Sequence, residues 1–453
     1  MKKPSRLKHL VPVALALAVL AVIAARAGGP LYVGGPPPFA PGVPFIWTIN
    51  PLTYWTDLGS LGLQSNTQTD TLVAHAFKVW QDVPTANISF ARDASNNGKL
   101  GADVDHTNIA AVLDSIEGCG PLGSIAKERS IIYDMDGSAV AALLGEENRT
   151  TVLGFATPAC AGSNGVDSNY YLRGYAVLNG IFLDGIDTSS NPEISETGFK
   201  TVMIHEFGHL IGLDHSQINL NCLTGLFGCS PIELQGVPTM FPVLIDEVTM
   251  STLATDDIAW LSELYPETVS NPPSQVPFAG TTGRITGHVF FSDGVTPAQG
   301  FNVIARQVAS PRVVAVSNVS GYLFTADAGN PVYPWGGSEY GSRDPALIGV
   351  YDLPGLPPGD YTVEVEAIHN SEPNPFVGGS SVGPIGNLGF QFPLPSLLPP
   401  PCTPEYLVSG ATATCNSTAA TTVSVAPGSP VSTGTDVILI NTPPRYDAWE
   451  AGP

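Results

Sequence analysis

The sequence predicts an α+β domain followed by an all-β sandwich. Three observations carry the expectation. Between Phe45 and Pro266, short runs rich in β-branched and aromatic residues alternate with runs of helical period. Beyond a Pro/Ser-rich stretch the helical period vanishes and only strand-like runs remain. The 453 residues, 43% of them hydrophobic, are too many for one ordinary core, while 48 glycines and 42 prolines favour turns and linkers. The expected organisation is a signal peptide at 1–27, a flexible Gly/Pro-rich lead-in at 28–44, the α+β domain at 45–266 and a linker at 267–283. A β-sandwich at 284–370 follows, then a Pro-rich segment with a small C-terminal β unit at 371–453.

Within 45–266, the run "FIWTI", Phe45 to Ile49, suggests a first strand. "TDTLVAHAFKVWQDV" suggests a helix, because Leu72, Ala76, Val79 and Trp80 recur at helical spacing with Asp70 near its start. "ANISFARD", "SIIYDMDG", "TVLGFATP" and "GYAVLNGIFL" suggest further strands. A second helix is expected from about Thr197 to Ile211, and a third from Thr255 to Tyr265 with acidic residues in its first turn. The sum is a mixed twisted sheet with three helices. After the linker, "GRITGHVFFSDG", "FNVIARQV", "VVAVSNVSGYLFT" and "GDYTVEVEAI" predict the sandwich. The last segment, ending in "TDVILIN", is either one more small β unit or a strand added to that sandwich.

The first residues have the features of a secretory signal. Lys2, Lys3, Arg6 and Lys8 precede an apolar run from Leu10 to Ala25, and "ARA" offers a small-x-small cleavage site. The expected location is secreted or extracellular, or periplasmic or cell-surface in a bacterium, with no membrane partner after cleavage. Five of the 18 basic residues lie before residue 28, leaving 13 against 40 acidic ones, a net charge of −27. That speaks against nucleic acid or an anionic membrane as a partner. Six cysteines suit an oxidising compartment, and local pairing is favoured: Cys119 with Cys160, Cys222 with Cys229, Cys402 with Cys415. The absence of a C-x-x-C spacing removes support for cysteine-bound zinc and for redox chemistry.

The chemistry concentrates in "HEFGHLIGLDHS", residues 205–216. A helix sets i and i+4 on one face, so His205 and His209 can turn two imidazoles to one ion. Glu206 lies about 100° round the helix, within reach of a water on that ion without being a ligand. His215 on a continuing helix would lie about 15 Å along the axis from His205. It reaches the same ion only if the helix ends, and Gly212 stands where it should end. Three neutral imidazoles leave a fourth position open, as catalytic zinc needs. The metal lowers the pKa of the water, Glu206 takes the proton and passes it to the departing amine. A buried amphipathic helix with satisfied histidines is the plain alternative, yet a chance match to the whole pattern is rare, on the order of 10⁻⁵ for this composition.

The stretch resembles the long zinc motif of the metzincin metalloproteases, H-E-x-x-H-x-x-G-x-x-H, and Ser216 after the third histidine resembles the matrixin branch. The resemblance implies a zincin fold and a secreted zinc endopeptidase. In it His205, His209 and His215 hold one catalytic Zn²⁺, Glu206 is the general base, and Met240 in "PTMFP" forms the methionine turn below the metal. Pro242, where astacin-like and serralysin-like enzymes have tyrosine, favours matrixins. "AFKVWQDVPTANISF" is similar to their first helix and second strand, "VLGFATP" to the edge strand that pairs with extended protein or peptide substrate, and "TDDIAWLSELYP" to the C-terminal helix. There are departures. Nothing between Ala27 and Phe45 resembles a cysteine switch, and Phe155 stands where animal matrixins have a histidine for a second zinc. The segment 216–239, "SQINLNCLTGLFGCSPIELQGVPT", is longer than usual. Residues 284–370 resemble the carboxypeptidase regulatory-like module, which is not catalytic in its known settings.

Two further readings complete the set. Asp134 and Asp136 in "DMDGS" would supply oxygens to a calcium ion, although one D-x-D-G is a common turn. The alternative to an enzyme is a catalytically silent extracellular binding or surface protein on a metzincin scaffold, against which the intact Glu206 counts.

Overall fold

The computed structural model describes residues 28–35, 37–216, 218, 219, 222, 229–324, 342, 344–367, 402 and 404–444. The signal-peptide expectation at 1–27 and the Pro-rich stretch at 371–400 lie outside them.

The first region is built on a twisted sheet of six strands: β1 Phe45–Ile46, β2 Leu52–Thr56, β3 Phe90–Arg92, β4 Arg129–Asp134, β5 Gly154–Ser163 and β6 Asn169–Asn179. The order β3-β2-β4-β6 is parallel, β1 also pairs β6, and β5 lies antiparallel on the other side of β6. Among the described residues β5 pairs with no other strand. Both faces are covered, so β4 is buried along its whole length rather than at alternate residues. In β4, Ile131 and Tyr133 enter one core while Ile132 enters the other.

On one face lie α1 Asn66–Gln81, α4 Glu196–Leu210 and α6 Thr255–Leu264. Their apolar stripes meet in a core where Phe77 stacks on Phe207 at 4.0 Å, and the Trp80 indole N–H donates to the Ile204 carbonyl at 2.8 Å. Each such fully buried side chain contributes roughly 2–3 kcal/mol by area. The opposite face carries α2 Ile109–Glu117 and α3 Ser138–Leu144. These two helices, and the four-residue α5 Pro231–Leu234, go beyond the three expected. The spacing Ile109, Val112, Leu113, Ile116 is helical, but the run is a bare two and a half turns long. The expected strand over Phe45–Ile49 is also corrected: it stops at Ile46, and the chain resumes as β2, which the sequence reading missed.

The Gly/Pro-rich lead-in is not a flexible tether. Leu31, Val33 and Ala40 are fully buried, and Leu31 donates to the Gly212 carbonyl at 2.7 Å. Glycine and proline here remove regular structure without removing contacts. The linker at 267–283 is likewise packed: Val276 donates to the Pro84 carbonyl at 2.8 Å, and α7 Phe278–Thr281 forms within it with Phe278 buried.

The second region has two sheets around one core. β10 Val350–Leu356, β7 Gly283–Phe290 and β14 Pro430–Val431 form the first, with β15 Val437–Ile438 also on β7. β12 Glu405–Tyr406, β11 Gly359–Ala367, β8 Phe301–Gln307 and β9 Ala315–Val319 form the second, with β13 Thr422–Val425 also on β11. The segment after residue 404 is therefore no separate unit. It adds strands to both sheets, and Leu407, Val423 and Val437 join the core of Ile285, Val303 and Leu353. Among the described residues no helix is long and apolar enough to cross a membrane.

Candidate metal centre and cleft

Helix α4 starts at Ser195, whose hydroxyl accepts from Gly198 N–H at 3.0 Å, an ordinary N-cap. It ends in a Schellman turn: Gly212 N–H donates to the His209 carbonyl and Leu213 N–H to the Gly208 carbonyl, both at 2.9 Å. Gly212 has φ +97°, in the region that favours glycine, and a side chain there would press on the Tyr171 ring. The last carbonyls of the helix are taken by side chains from far along the chain. The Trp47 indole donates to Leu210 O at 2.8 Å, and the Tyr265 hydroxyl to Ile211 O at 2.6 Å.

The turn brings His215 back to the helix. The Nε2 atoms of His205, His209 and His215 form a near-equilateral triangle with edges of 3.2, 3.1 and 3.1 Å. His205 Nδ1 lies 2.8 Å from the Thr239 carbonyl and His209 Nδ1 2.9 Å from the Leu213 carbonyl. A carbonyl only accepts, so both Nδ1 atoms carry the proton and both Nε2 lone pairs point inward. Burial holds His205 down to about 4 and His209 to about 3, the latter helped by His205, and puts His215 well below its usual value. Neutral imidazoles whose lone pairs converge repel one another unless a cation lies among them. A tetrahedral zinc with nitrogens at about 2.0–2.1 Å needs them roughly 3.3 Å apart, so the triangle fits such an ion. Among the described residues this is the one group of histidine, cysteine or acidic side chains placed to hold a metal.

Glu206 is buried beside the triangle. Burial lifts its carboxyl to about 8, opposed by the Ala156 N–H of β5. With His205 it lines a solvent-open cavity of about 630 Å³. Leu153 and Gly154, Thr201 and Val202 of α4, and Thr239, Phe241 and Met250 are among the residues that line it. The threonine hydroxyls donate to backbone carbonyls, Thr201 to Glu247 O and Thr239 to Met250 O, each at 2.8 Å. What remains for a visitor is mostly apolar.

Met240 packs beneath α4. A side chain at Gly208 would run into its sulfur and into Trp80, so the small residue inside the motif has its own reason. Asp257 of α6 fixes the methionine turn: its carboxylate accepts from Thr239 N–H at 2.8 Å and Met240 N–H at 3.0 Å. The sequence places acidic residues in the first turn of that helix but does not link them to the methionine turn. Sequence reasoning also missed Gly208, Trp47 and Tyr265. "TDD" at a helix start was the one local signal, whereas the others depend on distant partners. The His215 end is held from outside as well. Gly28 N–H donates to the His215 carbonyl, Ser216 N–H to Met240 O at 2.8 Å, and Asp214 N–H to Gly29 O at 3.0 Å.

The two aspartates of "DMDGS" serve the local fold. Asp134 accepts from Val140 N–H at 2.8 Å, capping α3, and Asp136 accepts from Ser138 N–H at 3.0 Å and faces Arg149. Among the described residues they belong to no group of three or more side chains placed to hold an ion. The sulfurs are bonded as Cys119–Cys160, Cys222–Cys229 and Cys402–Cys415.

The matrixin family model matches residues 46–231, which takes in the three histidines and Glu206 and stops before Met240. It supports a matrixin-like metzincin catalytic domain there, a metalloprotease type that uses zinc, and the three histidines are placed to hold such an ion. No curated protein matches the chain.

Proposed function

We propose that the chain is a secreted zinc-dependent endopeptidase. The observation that carries this is the converging triangle of neutral Nε2 atoms with the Glu206 carboxyl beside it and an apolar cavity alongside. His205, His209 and His215 are the residues that would hold the ion. Zinc in that place supplies a water of lowered pKa and polarises a carbonyl. The chain's own residues do the rest. Thr239 O and Leu213 O fix two tautomers, and Glu206 takes a proton from water and returns it to the leaving amine. The edge of β5 that pairs with no strand among the described residues suits an extended peptide by strand addition, which favours protein or peptide over other substrates. Secretion rests on the N-terminal signal features. The β-rich region keeps its likeness to the carboxypeptidase regulatory-like module as a sequence resemblance, with no catalytic part assigned to it.

The test is metal content together with cleavage. Purified chain should carry about one zinc, cleave a broad peptide library internally, lose that activity to a chelator and regain it with zinc. Stoichiometric zinc with no cleavage of any library peptide contradicts the endopeptidase reading and leaves the silent scaffold.

A further inference from the structure

The segment between His215 and Met240 is braced by the second region, and the brace leads to the cavity. Arg306, on β8, is almost fully buried. Its guanidinium forms an ion pair with Glu364 of β11 and donates to Asn219 Oδ1 at 2.9 Å. Asn219, four residues after His215, donates from its amide nitrogen to the carbonyls of Glu233 and Arg312, both at 3.0 Å. Its φ is +61°, an uncommon conformation for a residue other than glycine, and it is buried. Ile218 beside it packs on Ile304 and Ala315 of β8 and β9. At the far end of the segment, Gly236 lies so close to the Arg312 carbonyl that no side chain fits.

Both ends are thus pinned to the β-rich region, and described residues of the segment back the cavity. Val237 and Cys222 form one apolar cluster with Phe241 and Met250, and the latter two line the cavity. Cys222 N–H donates to the Asn219 carbonyl at 2.9 Å, so contacts run from the guanidinium through Asn219 and Cys222 to Phe241 and Met250 of the cavity.

Resting on the endopeptidase reading, we propose that Arg306 is a positioning residue for the cavity beside the histidines. Acting through Asn219, it fixes the backing of Phe241 and Met250, so the β-rich region sets which substrate side chain the cavity accepts. The buried fork suits this task. Arginine bonds carboxylate and amide together in fixed geometry, where lysine offers a point charge. Left without Asn219, the guanidinium would still pair with Glu364, but the segment would lose its register.

The experiment uses the full zinc-loaded chain and two variants. Asn219→Gly keeps the positive φ without strain and deletes only the side chain. Arg306→Lys keeps the charge beside Glu364. The probes are two peptide hydroxamates, identical except for an isobutyl or a methyl group on the residue next to the metal-binding end. Three extra buried carbons should give the wild-type chain an isobutyl preference on the order of 50-fold in Kd. Both variants should retain one zinc while the preference falls to about 5-fold, and the double variant should fall little further because the two residues act on one path. A wild-type preference in both variants, with only the melting temperature lowered, overturns the proposal and leaves a plain structural pair. Should Arg306→Lys not fold, Asn219→Gly decides alone. A wild-type chain that discriminates between the probes but cleaves no peptide contradicts the endopeptidase reading and not this one. A zinc-loaded wild-type chain that binds neither probe contradicts both.

Discussion

The histidine triangle has two halves that were built in different ways. His205 and His209 come from one regular helix, α4, whose N-cap, apolar stripe and spacing are local properties of residues 195–210. His215 comes from a turn held almost wholly by others: the strap at residues 28–31, the Met240 carbonyl and the Schellman turn at Gly212. The helical half is placed by hydrogen bonds between residues four apart, and the returning half depends also on bonds to Gly28, Gly29 and Leu31, more than a hundred residues away, and to Met240, 24 residues away. A local pattern encodes the first, while only the assembled fold fixes the second.

Breaking the helical half should have the largest effect. His209→Ala removes a ligand and the Nδ1–H that holds Leu213 O, and it should abolish stoichiometric zinc by elemental analysis and bring peptide cleavage to background. Breaking the turn between the halves should be intermediate. Gly212→Ala places a Cβ at φ +97° against Tyr171 and should cost about 1–3 kcal/mol in urea denaturation. Competition against a chelator should show zinc held more weakly, because His215 follows that turn. An unchanged affinity would mean that the turn does not set the third ligand. Breaking the strap should be the mildest for the metal. Leu31→Ala empties a fully buried site, for which about 2–4 kcal/mol is expected. Its backbone bond to Gly212 survives, so zinc affinity should change by less than about 10-fold. If truncating Leu31 alone releases the zinc, the strap is a fourth wall of the site and the division between the halves fails.

The same contrast explains what was legible in the sequence. The three main helices, the histidine spacing and the stop at Gly212 follow from period and capping, which are short-range. The lead-in was misjudged because composition reports the absence of regular structure, and Leu31, Val33 and Ala40 show that a chain without regular structure can still be buried. Asp257, Trp47 and Tyr265 were invisible as site support, since their partners at residues 239–240 and 210–211 are adjacent only in the folded chain. The linker before β7 and the final strands misled in the same manner. Val319 and Tyr322 of the second region join the core of the first, so composition shifts did not mark a boundary between independent bodies.

The most direct test of the central claim is Glu206→Gln, a change that keeps size and one hydrogen-bond acceptor while removing the base. Zinc content and cleavage of an internally quenched peptide should be measured on the same preparation. The account predicts about one zinc per chain, as in the wild type, with cleavage reduced on the order of 10²–10⁴-fold. A variant that keeps its zinc and cleaves at the wild-type rate would contradict it.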